Sequence, residues 1–96
     1  MARLRVLDEA DEAMNELWAS NPAMCDRIED IIDEIMEDPS DPRHMRRSKF
    51  LRPPSRYAYI VHDPAGGEDW CFLWRINTTD AGPELAIYYV GPNVFE

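Results

Sequence analysis

The stretch Asp69-Trp70-Cys71-Phe72-Leu73-Trp74-Arg75-Ile76 decides how the chain folds. Read with a period of two, it puts Trp70, Phe72, Trp74 and Ile76 on one side and Cys71, Leu73 and Arg75 on the other. Both sides are largely apolar, whereas a strand covered on one face alternates more cleanly with polar residues. The stretch therefore belongs at the centre of a sheet. One of its faces is expected to meet helices, and the other to form a shallow, partly aromatic surface open to a partner.

The neighbouring strands follow from the same pattern. Residues 57–61 and 85–90 are apolar and aromatic runs of strand length. The turn Asp63-Pro64-Ala65-Gly66-Gly67 and a polar loop over 77–83 separate them from the central run, so the three strands form an antiparallel meander. At the N-terminus, residues 3–7 alternate as a short strand with Leu4 and Val6 inward, and Asp8 is expected to cap the helix that follows. Ala10, Ala13, Met14, Leu17 and Trp18 then recur with helical spacing, giving a helix over 9–19. Asn21-Pro22 restarts the chain as cap and first helical residue, and Met24, Ile28, Ile31, Ile32, Ile35 and Met36 carry a second helix over 22–37. The run Asp38-Pro39-Ser40-Asp41-Pro42 ends that helix, because the residue before a proline resists the helical conformation. Residues 43–56 read as a basic, proline-containing connector. The fold class is α+β in the order β-α-α-β-β-β, with a strand and a helical hairpin packed on a small antiparallel sheet. Ninety-six residues fit one domain over 1–96.

Charge is distributed unevenly. The net charge is −9. Residues 8–41 hold thirteen acids and one base, Arg27, whereas residues 43–62 hold six bases, no acid and both histidines, His44 and His62. A uniformly acidic protein repels nucleic acid, but a local basic patch can still hold phosphate. No apolar run approaches the roughly 20 residues of a membrane span. The strand-like start is unlike a signal peptide, so a cytoplasmic location is expected. Cys25 and Cys71 have no CxxC or histidine partner, which predicts two reduced, buried thiols and no zinc site. No glycine-rich phosphate loop, Ser/His/Asp set or metal cluster is present, so neither cofactor nor metal is expected.

Four segments carry a family resemblance. Ile35-Met36-Glu37-Asp38-Pro39 resembles a helix end followed by proline in the RelE/ParE superfamily of bacterial toxins, and Leu51-Arg52-Pro53-Pro54 resembles that family's leucine–basic–glycine connector. The central strand, residues 69–76, resembles the family's Asp-Tyr-Arg-Val-Ile-Tyr-Arg-Val. Tyr89-Val90-Gly91-Pro92-Asn93-Val94-Phe95 resembles its terminal Val-Gly-His-Arg…Val-Tyr. With the element order, the resemblance spans almost the whole chain. It implies a RelE/ParE-like fold and a toxin-like member of a type II toxin–antitoxin system. The implied partner is an antitoxin-like protein, with the ribosome and its mRNA, or gyrase, as further contacts.

The chain departs from the family at the positions that would cleave RNA. Cys71 stands where the third strand carries Arg, Pro92 and Asn93 replace the His-Arg pair, and Phe95 replaces the terminal Tyr. Cleavage by 2′-hydroxyl attack needs a proton acceptor and cations at the phosphate. Neither is found at the family positions, so no catalytic residue is assigned and action by binding is the preferred reading.

Two alternatives remain. One is a ribosome-dependent mRNA endoribonuclease with a relocated site, in which Arg52, Arg56 and Arg75 hold phosphate and His62 or His44 moves protons. The other is an acidic inhibitor or phosphate mimic acting through Asp30, Asp33 and Glu34. The binding candidates are Arg46, Arg47, Lys49, Arg52 and Arg56. The plainer reading of these cations is that they neutralise the adjacent carboxylates. By the same reasoning the two histidines are expected at the surface, and most of the aromatic residues in the core.

Overall fold

The apolar stripe of residues 24–36 and the alternation of residues 70–76 need each other, because neither can bury its apolar side alone. A computed structural model describes residues 3–51, 56–63 and 66–93, without the Leu51 side chain. It shows them joined. The elements are β1 (Arg3–Val6), α1 (Asp8–Ser20), α2 (Pro22–Glu37), α3 (Pro42–Arg46), β2 (Ser48–Leu51), β3 (Arg56–Val61), β4 (Trp70–Thr79) and β5 (Gly82–Pro92). They build an α+β fold in which a helical hairpin packs on one five-stranded sheet of order β1-β5-β4-β3-β2. β4 is the central strand, as its two apolar faces require.

The core joins Ala10 and Leu17 of α1 and Met24, Ile28, Ile31 and Ile35 of α2 to Val61, Phe72, Trp74, Leu85, Ile87 and Val90 of the sheet. Burying each large side chain contributes roughly 1.5–3 kcal/mol. Asn21 closes one helix and opens the next: its N–H donates to Leu17 O at 2.7 Å, and its Oδ1 accepts from Met24 N–H at 3.3 Å. Pro22 follows at the first helical position, where its missing N–H costs nothing.

Several expectations are corrected. The described first part of the connector, residues 43–51, is not an irregular link. Asp41 caps α3 by accepting from Arg43 N–H at 3.0 Å, and β2 then pairs antiparallel with β3, so the meander has four strands. The polar loop over 77–83 shrinks to Asp80-Ala81, because Thr78 and Thr79 extend β4 and pair with Pro83 and Gly82 of β5. Gly82, at φ +111°, supplies a backbone conformation that side-chain-bearing residues rarely adopt. β1 lies parallel to β5 and is not part of the antiparallel ladder. Asp8 is the first residue of α1, and Leu7 occupies the cap position with no side-chain acceptor. Leu4 is 47% exposed, because β1 is an edge strand that the helices only partly cover. Trp18 is 57% exposed. It stands eight residues beyond Ala10, about 80° round the helix from it.

The aromatic face of the sheet is not open to a partner, because Phe72 and Trp74 are fully buried beneath the helices. Tyr59 stacks on Phe72 with ring centroids 5.5 Å apart, and Tyr57 tilts against Trp74 at 5.0 Å. The Trp74 indole N–H donates to Ser48 Oγ at 3.0 Å, and the Ser48 hydroxyl donates to His44 O at 2.9 Å. This relay ties α3 and the edge strand to the centre of the sheet. Ser48→Ala strands a buried indole donor and should cost about 1–3 kcal/mol in urea unfolding, whereas Ser40→Ala, at an exposed turn, should cost almost nothing. An unchanged midpoint for Ser48→Ala would show that the relay contributes nothing.

Candidate functional site

Strand register places cations on the sheet face turned away from the helices. The helix side takes Tyr57, Phe72, Trp74, Leu85 and Ile87, so their sequence neighbours point the other way. Ala86 is in register with Arg5 of β1 on one side and with Arg75 of β4 on the other. Those two arginines therefore flank one small, fully buried residue at about two strand spacings, roughly 10 Å, from each other. Arg56 precedes the Tyr57–Trp74 pair, and Arg75 follows it, so Arg56 and Arg75 stand beside each other on the same face. Lys49, paired with Ala58, extends this band towards one edge, and at the other edge Arg3 stands opposite the carboxylate of Glu84 on the same face.

A β-bulge shapes the middle of the band. Leu73 pairs with Tyr89 and Trp74 with Ile87, so Tyr88 is an extra residue on β5. The bulge turns Tyr88 towards Arg56, whose guanidinium carbon lies 3.7 Å from the ring centroid. Tyr89 folds back over Gly91, where any Cβ would strike its ring and hydroxyl. Glycine is therefore required at 91 for close approach rather than for an unusual φ.

The residues singled out in the sequence separate into groups. Lys49, Arg56 and Arg75 belong to the sheet band. Arg46 and Arg47 are exposed at the end of α3, on a different part of the surface. Arg52 and Phe95 lie outside the described residues. His62 is exposed and pairs with Asp69 Oδ2 at 3.0 Å. It stands six residues along from Arg56, about 20 Å at strand rise, too far to share a phosphate with it. His44 is not a surface residue: it is 7% exposed, and its Nε2 donates to Asp38 O at 2.9 Å. The two histidines and Arg56 are thus not brought together. Arg5, absent from the candidates above, joins the band only through the parallel pairing of β1, which no local pattern announces.

Cys25 and Cys71 are free and buried, as expected. Burial, with Glu29 nearby, pushes the Cys25 thiol up, so it stays protonated and unreactive at neutral pH. Asp30, Asp33 and Glu34 are exposed on α2, and Asp33 also borders a groove with Leu4, Val6 and Asp11. Among the described residues no group of three or more His, Cys, Asp or Glu could hold a metal, and no helix is long and apolar enough to cross a membrane. Comparison with protein families, with curated proteins and with solved structures finds no match to this chain.

Two measurements check this geometry. A double-mutant cycle with Arg56→Gln and Tyr88→Leu should return a coupling of about 0.5–1 kcal/mol, and additivity would mean the stacking is idle. At α3, hydrogen bonds from the Arg43 side chain and backbone hold the Asp41 carboxyl at about 2, below its ordinary 3.8. Because its folded pKa is depressed, its support for the fold is complete above the ordinary value and is lost as pH falls towards 2. A carboxyl titration by NMR should show a midpoint near 2 that rises in Arg43→Gln.

Proposed function

We propose that this chain is a cytoplasmic, toxin-like protein of a type II toxin–antitoxin system on a RelE/ParE-like scaffold. It acts by binding an anionic partner rather than by cleaving RNA. The observation that carries the reading is the helix-free sheet face, across which register places Arg5, Arg75, Arg56 and Lys49 on successive strands although the whole chain is acidic. A surface that carries several cations attracts anionic groups and steers them to it. The resemblance in element order and motifs supplies the toxin-like part of the proposal.

Action by binding is favoured over nuclease chemistry by the placement of the proton carriers. Of the two histidines, His44 is committed to a backbone carbonyl and His62 is distant, so neither serves the arginines of the sheet face. A general base must reach the proton it removes, within hydrogen-bond distance or through one water. The antitoxin-like partner then takes the sheet face as its docking surface, through acidic side chains. The acidic faces of α1 and α2 would repel the same segment.

Expression in a bacterial host, with mRNA integrity followed in parallel, tests the reading. Growth arrest with intact mRNA is expected, and Arg5→Glu with Arg75→Glu should abolish it. Arrest accompanied by ribosome-dependent cleavage would replace this reading with the nuclease one. Arrest that persists in the double variant would remove the sheet face from the mechanism. Normal growth with the unsubstituted chain would overturn the toxin-like assignment.

A further inference from the structure

A cleft of about 500 Å³ opens where β1 runs into α1, bounded by Arg5, Leu7, Asp8, Glu9, Arg56 and Tyr88. We propose that it is a binding site for a single oxyanion group, a carboxylate or a phosphodiester, held between Arg5 and Arg56. This inference stands on the cleft itself and does not need the toxin-like reading.

Three independent observations point to a missing acceptor. First, the Nε of Arg56 is buried and has no hydrogen-bond partner. An unsatisfied buried donor is rare in native proteins and calls for an acceptor, such as a water or an ion, beside it. Second, the Tyr88 ring sits 3.7 Å from the Arg56 guanidinium carbon, so the bulge holds this cation at the cleft wall instead of letting it extend into solvent. Third, α1 starts at the cleft, and its cap residue, Leu7, has no side-chain acceptor to offer the first-turn N–H groups. Leu7 N–H is itself spent on Ile87 O at 3.0 Å, and Leu7 O accepts from Asp11 N–H at 2.9 Å, which fixes the turn. Arg5, Arg56 and the first residues of α1 thus line one space.

The remaining wall is acidic. Asp8 and Glu9 border the same cleft, and no ion pair of the described residues joins either to Arg5 or Arg56. Two arginines therefore face two carboxylates that do not neutralise them at contact distance. The opposed charges leave little net field in the cleft, so an oxyanion is held there by directed N–H donation rather than by bulk attraction. Arginine suits this role because its planar fork binds either oxyanion through paired N–H groups.

Acetate and dimethyl phosphate are the probes, titrated into the full chain while the arginine Nε–H resonances are followed by ¹⁵N NMR. Saturable movement of the Arg56 signal is expected with at least one of them. Arg5→Gln, at an exposed edge position, should weaken that binding at least threefold while keeping the backbone fingerprint. Tyr88→Leu gives a second variant that releases Arg56 and should also weaken binding. Saturation by acetate alone assigns a carboxylate source, such as an acidic side chain of a partner. Saturation by dimethyl phosphate alone assigns a nucleic-acid backbone, and saturation by both defines a general oxyanion site. No saturable shift with either probe, or equal affinity in Arg5→Gln and Tyr88→Leu, would overturn the proposal. A chain that binds acetate here but arrests no host would keep this site and lose the toxin-like reading.

Discussion

Everything in this fold depends on burial of the helix-facing side of β4 and β5 beneath α1 and α2. Phe72, Trp74, Leu85 and Ile87 meet Leu17, Met24, Ile28 and Ile35 there in one continuous core. Once that face is committed, period-two geometry sends Arg56, Arg75 and Arg5 to the opposite face. The sheet therefore acts as a partition between a strongly acidic helical layer and a cationic face. A helix is roughly 10–12 Å across, and the Debye length at physiological salt is about 8 Å. Glu84 stands opposite Arg3 on the sheet itself, but apart from Asp8 and Glu9 at the cleft rim the helical carboxylates are thus screened from the arginines beyond the sheet, so a chain of net charge −9 can still present a face that attracts anions.

The bulge at Tyr88 refines that partition. Without the extra residue, β5 would hold strict alternation from Leu85 to Gly91. With it, Ile87 and Val90 both face the helices, while Tyr89 faces Leu73 across the ladder on the other side. Both ends of a long strand thus serve the core, and the insertion point supplies the ring that Arg56 rests on. Bulges are common where a strand must re-aim a side chain. Here the side chain concerned lies beside the unpartnered Arg56 donor.

Much of the architecture was legible in the sequence. The second helix is bounded as its apolar stripe and flanking prolines indicate, and the central position of residues 70–76 followed from two apolar faces. Elements that depend on tertiary context were not legible. Ser48-Lys49-Phe50-Leu51 is a four-residue strand beside prolines and is stabilised by pairing with β3, so local composition reads it as a link. His44 looked like a surface residue in a basic run, and only the packing of α3 against β2 buries it. The cationic site was half legible. Lys49, Arg56 and Arg75 stood out by charge, but their grouping with Arg5 needs the parallel β1–β5 register, which joins residues more than 80 apart. Arg46 and Arg47 carry the same charge and fall elsewhere, because α3 turns the chain before β2 begins.

The central claim is that the sheet separates two surfaces of opposite sign. Paramagnetic relaxation of backbone amides by matched anionic and cationic cosolutes measures the near-surface potential directly. The account predicts a positive potential at the amides of Arg5, Ala86 and Arg75 and a negative one along the outer sides of α1 and α2, both weakening as salt is raised. A uniformly negative potential over the sheet face would contradict it.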